Sequence, residues 1–144
     1  MLLLTLSVSV YSYDLTEPSG LTADDMILLH DLEGLEQVFV DAERRHGVRA
    51  DFLAAIAALE SGWGRYQFEE NNIMGFGGLE FGSLEDCIDH VAEFLSEHYL
   101  DPDGMYYNGT TVDGVCVKYN GRSEWTEAVE GLMKEISDQL DCLR

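Results

Sequence analysis

The sequence predicts a mainly α-helical single domain, and three observations carry that expectation. Apolar residues recur at three- and four-residue spacing through 35–42, 52–63, 84–95 and 125–136, the period of a helix face. The chain has 144 residues, 46% of them hydrophobic and only two prolines, enough to build one core and too apolar for a disordered chain. Period-two alternation occurs in one place, near the N-terminus. The chain is therefore divided into an N-terminal strand and linker, 1–19, and a helical domain, 20–144.

In order, Leu4, Leu6, Val8 and Val10 alternate with Thr5, Ser7, Ser9 and Tyr11, which reads as a half-buried strand. An unpartnered strand edge invites pairing with a second copy or a neighbouring protein. A degenerate secretion signal is the competing reading, but no Lys or Arg precedes Arg44 and no Ala-x-Ala site follows. The stretch is too short and polar to span a membrane. Glu17-Pro18-Ser19-Gly20 reads as a turn.

Thr22, followed by Ala23, Asp24 and Asp25, has the composition of a helix N-cap, and that helix is expected to run until Gly34. A second helix carries Leu35, Val38, Phe39 and Ala42 on one face and closes at Gly47. The third is the most apolar segment of the chain, from Ala50 to Gly64, with Phe52, Ile56, Leu59 and Trp63 in register. Residues 74–82 hold four glycines and predict a short hairpin or tight loop. Ser83 caps a long helix reaching about Tyr99, and Asp101-Pro102-Asp103-Gly104 turns the chain. A short helix at about 111–118 precedes the last one, which starts at Ser123 and buries Trp125, Val129, Leu132, Met133, Ile136 and Leu140.

Charge and cysteine content exclude several classes of function. Eight basic against 28 acidic residues give a net charge of −20. Nucleic-acid binding needs Lys and Arg on phosphates, and anionic membranes or wall polymers would repel this surface. Cys87, Cys116 and Cys142 are odd in number and widely spaced, forming neither a metal pattern nor a disulfide framework. Buried free thiols are the default, with a single bridge left open. No His/Cys/Asp cluster suggests a metal, and no cofactor motif occurs.

The chemistry concentrates at the end of the third helix. Glu60 is the lone acid closing an apolar helix, followed by Ser61, Gly62 and Gly64. An ionised carboxylate there must find donors or hold its proton more tightly, which is the environment of a general acid. Next comes Asn71-Asn72-Ile73-Met74-Gly75. A helix ending Ala-Leu-Glu-Ser-Gly-Trp-Gly, then Asn-Asn-x-x-Gly, resembles the lysozyme-like superfamily. More narrowly it resembles the peptidoglycan N-acetylglucosaminidases of glycoside hydrolase family 73. Flanking segments extend the likeness over roughly 20–138: the helix before Gly47-Val48, then Ser83, His90, Phe94 and Leu95, then Tyr119 ahead of Trp125.

The resemblance implies a lysozyme-like fold with a reduced β-lobe and an endo-acting glycosidase that cleaves after N-acetylglucosamine. It implies Glu60 as the proton donor that glycoside hydrolysis requires. Family members draw a second acid from the lobe after Asn-Asn-x-x-Gly, where Glu80 is the acid in Gly77-Gly78-Leu79-Glu80-Phe81-Gly82. Without it, the substrate's own acetamido group can serve as nucleophile. Tyr119 matches the family tyrosine that faces the cleft, with core packing as its competing role. Asn72 and Ser61 offer polar contacts to substrate, and Phe76, Tyr66 and Tyr107 offer rings for a sugar face. The implied partner is a peptidoglycan strand and the implied location is the cell wall or exterior, by secretion or on a phage. The alternatives are a non-catalytic glycan-binding or phage-tail module, and a lytic transglycosylase.

Overall fold

The computed structural model describes residues 13–138. Among them are five α-helices and no strand. These are α1 (Glu36–His46), α2 (Ala50–Ser61), α3 (Leu84–Leu95), α4 (Val112–Tyr119) and α5 (Ser123–Asp138). The expected N-terminal strand, Leu140 and Cys142 lie outside the described residues. Cys87 and Cys116 are buried free thiols.

The third predicted helix, α2, is the axis of the fold, with α1 and α5 packed on it, α3 on α1 and α4 on α5. Its sequence ADFLAAIAALES combines strong helix formers with small side chains, so neighbours approach it from several directions. Every residue from Ala50 to Ala58 is buried. Its N-terminus is held from outside: Glu43 of α1 accepts the Ala50 N–H at 2.6 Å and the Ser19 N–H at 3.0 Å. Beside it the Arg49 guanidinium makes two bonds to buried Asp51, 3.0 and 2.8 Å, and lies 4.8 Å from the Tyr13 ring centre. Burial opposes the Arg49 charge, but the Asp51 bonds and charge outweigh it and hold the pKa above its ordinary value. Leu15 is fully buried, giving its N–H to Thr110 and taking that of Arg49. Residues 13–19 are thus stitched into the helical body.

The predicted helix after Thr22 is replaced by two 3₁₀ turns, Ala23–Asp25 and His30–Leu32, joined by extended chain. The Asp25 carboxylate still takes the Thr22 N–H and hydroxyl at 2.8 and 3.0 Å. Beyond it, packing overrides the helical pattern. Met26 and Leu28 point into the core in alternation, and Ile27 between them gives its N–H to the Ile136 carbonyl of α5.

Asp89 of α3 reaches the C-terminal end of α1, with Arg45 at 2.7 Å and His46 at 2.8 Å. Burial would raise the Asp89 pKa, but the His46 and Arg45 hydrogen bonds and charges outweigh it and lower it. A carboxylate with a depressed folded pKa contributes stability that is complete above its unfolded value and fades as pH falls through the folded one. Asp89→Asn is therefore expected to cost less than about 1 kcal/mol at neutral pH, since the site is part-exposed and screened. The difference from wild type should close as pH drops below the ordinary aspartate value of 3.8. Urea midpoints measured across pH check this, and a gap that persists in acid would contradict it.

Candidate active site

Glu60 stands half-buried in the last turn of α2, one residue before the helix ends. The chain leaves through Gly62, Trp63 and Gly64, all at positive φ (56°, 62° and 84°). Gly64 lies against Asp31 and Leu32, where an added Cβ would sit 3.0 Å from the Asp31 side chain. Glycine is thus required there by both backbone and space. Ser61 organises this exit: its hydroxyl donates to the Ala57 carbonyl at 2.6 Å and accepts the Gly64 N–H at 2.8 Å. Trp63, read from the sequence as a core indole, is only half-buried because its backbone has already left the helix.

Residues 70–81 form the wall opposite, as the tight-loop alternative of the two expected forms. Asn72 replaces strand pairing: its amide donates to the Phe76 and Leu79 carbonyls at 3.0 and 2.9 Å and accepts the Phe76 N–H at 3.0 Å. Asn71, at φ 58°, donates to the Phe81 carbonyl at 2.9 Å. Both asparagines are engaged in holding the loop. The loop brings Gly75 against Glu60. From the far side α5 supplies Trp125, whose Nε1–H donates to Glu60 Oε1 at 3.2 Å.

Two hollows meet at Glu60. One, of about 560 Å³, is lined by Leu59, Glu60, Asn120, Arg122, Glu124 and Trp125. The other, of about 180 Å³, includes Glu60, Tyr66, Phe68, Glu69, Asn72 and Gly75. Of the residues expected in the site, Glu60, Tyr66 and Asn72 line a hollow. Glu80 is exposed on the loop and lines neither. Phe76 packs against Phe94 and His90, at 4.9 and 5.5 Å between ring centres. Tyr107 is 39% exposed and also lies outside both hollows.

Tyr119 sits behind Trp125, its ring 5.2 Å from the indole and 5.7 Å from Tyr99. Its hydroxyl is buried and has no hydrogen-bond partner among the described residues. Burial first, then the neighbouring Glu60 charge, pushes its pKa up, so it stands as a neutral phenol. Sequence reasoning missed Phe68, Glu69 and Arg122. Phe68 is 94% exposed, and an exposed aromatic two residues past Tyr66 was the available signal.

A helical domain with one carboxylic acid at the junction of an open cleft, aromatic rings on one side and amide and guanidinium groups on the other, has the build of a carbohydrate-cleaving enzyme. Comparison with known proteins gives the family. The model of the glucosaminidase family, described as mannosyl-glycoprotein endo-beta-N-acetylglucosaminidase, matches residues 36–138, and the chain belongs to this family of glycoside hydrolases. Two relatives from Streptococcus pneumoniae, both named "Putative endo-beta-N-acetylglucosaminidase", are 26% identical over 146 residues, covering 88% of this chain. The chain spans about a fifth of their length, 22% and 21%.

Proposed function

We propose that this domain hydrolyses the glycan strand of peptidoglycan on the reducing side of N-acetylglucosamine, with Glu60 as general acid on a lysozyme-like helical scaffold. The observation that carries the reading is the position of Glu60 where two hollows meet, so that a sugar bound in each would leave their linking oxygen beside the carboxyl. The apolar end of α2 and the indole of Trp125 shield one side of that carboxyl. A neutral acid so placed can protonate the departing oxygen.

The second role goes to Glu69 ahead of Glu80, because Glu69 lines the same hollow as Glu60. It is placed to orient water or to balance positive charge at the anomeric carbon. Ser61 and Asn72 act through the backbone they hold, and Tyr119 supports the indole from behind. Tyr66 and Phe68 present rings to the sugar faces. Phe68→Ala should leave the fold intact, since the ring is 94% exposed, and should raise KM about tenfold. Steady-state kinetics on soluble glycan fragments checks this, and an unchanged KM would remove Phe68 from the site.

Acting on peptidoglycan places the domain at the cell wall. No helix among the described residues is long and apolar enough to cross a membrane. The test is product release from purified peptidoglycan, read by mass spectrometry. Products ending in a reducing N-acetylglucosamine support the proposal. Anhydro-muramic ends would make it a transglycosylase, and binding without release would make it a glycan-binding module.

A further inference from the structure

The two oxygens of Glu60 have different surroundings. Oε1 accepts the Trp125 indole N–H at 3.2 Å. Oε2 faces the loop, 3.0 Å from the point where a side-chain carbon on Gly75 would stand. Trp125 is 5% exposed and caught between two rings: Phe52 edge-on at 6.4 Å and Tyr119 at 5.2 Å. The donor therefore cannot turn away without unpacking α5 from α2.

An indole nitrogen donates and never accepts. The carbonyl oxygen of a neutral carboxyl is a far better acceptor than its hydroxyl oxygen, so the indole bond selects Oε1 as the carbonyl. Resting on the proposed reading of Glu60 as the acid, we propose that Trp125 is a positioning residue that fixes the catalytic proton on Oε2, and that Gly75 keeps that oxygen open to the glycosidic bond by carrying no side chain. Gly75 also sits at φ 61°, a conformation that side chains rarely adopt. The donor thus comes from α5, 65 residues away from the acid it orients. It adds no charge and does not touch the reacting atoms.

The test is Trp125→Phe, which keeps a ring between Phe52 and Tyr119 and removes the N–H donor together with the second ring of the indole. Two substrates are compared: an unmodified N-acetylchitooligosaccharide and the 2,4-dinitrophenyl glycoside of the same sugar. Dinitrophenolate departs without a proton, whereas a sugar alkoxide does not. The variant should lose about ten- to a hundredfold in kcat on the unmodified glycan at unchanged KM. On the dinitrophenyl substrate it should stay within about twofold of wild type. Equal loss on both substrates, or loss on neither, overturns the role.

A second measurement does not depend on activity. The protein has two tryptophans, so its ¹⁵N spectrum holds two indole N–H signals, and the Trp125 signal is the one missing in Trp125→Phe. Glu60→Ala should move that signal and leave that of Trp63 in place, while Glu60→Gln, which keeps an acceptor, should move it far less. An unmoved signal in Glu60→Ala overturns the hydrogen bond itself. A wild type that cleaves neither substrate, with the signal moving as expected, overturns the glycosidase reading and the role of Trp125 with it, but not the geometry.

Discussion

Glu60→Gln is expected to lower kcat on peptidoglycan by about three orders of magnitude while leaving the thermal midpoint close to wild type. Glutamine keeps the shape of the side chain and an acceptor for the Trp125 indole, so packing at the end of α2 is preserved. It has no proton to give. General acid catalysis contributes about 10²- to 10⁴-fold, and a sugar alkoxide is a poor leaving group without it. The control is Glu80→Gln, which should stay within about twofold because Glu80 lines neither hollow. Glu69→Gln should fall between the two. Residual activity in Glu60→Gln within tenfold of wild type would move the acid elsewhere on the cleft.

The second large effect is on stability. Phe52→Ala should cost about 3–5 kcal/mol, read as a lowered urea midpoint at unchanged slope. Phe52 has no exposed surface and lies on the first turn of α2. Its neighbours along the helix include Leu53, Ala54, Ala55 and Ile56, all fully buried, so little can move in to fill the void. It also presents its edge to the indole that holds Glu60. The variant should therefore lose activity even at temperatures where it remains folded. A cost under about 1 kcal/mol would mean that the core around α2 collapses more readily than its packing suggests.

The parts legible in the sequence are those set by local chemistry. An alanine-rich run closed by one acid reads as a buried helix, and α2 is that helix from Ala50 to Ser61 with Glu60 in its last turn, although the left-handed exit that takes Trp63 off the helix face was not legible. The cap at Ser83 was equally local, accepting the Asp86 N–H three residues on. What stayed hidden was set by distant partners. The stretch after Thr22 has helical composition, yet the Ile136 carbonyl claims the Ile27 N–H and extends the chain. Asn72 looked free to hold substrate, because nothing local shows that its amide closes a loop on Phe76 and Leu79. Glu69 and Arg122 carry no pattern of their own and become visible only when the hollows form around them.

After α3 the chain widens into a π-helical turn, Ser96–Leu100, closed by the Asp101 N–H on the Ser96 carbonyl at 3.1 Å. That extra residue is a phase shift. Within this widened turn Tyr99 and Leu100 are both buried. Tyr99 is the ring that Tyr119 leans on, and Tyr119 in turn backs Trp125. A one-residue deletion within 96–100 would therefore leave the cleft lining intact in composition while withdrawing Tyr99 from the rings stacked behind the acid. The aim of one carboxyl group is thereby tied to the length of the helical turn that follows α3.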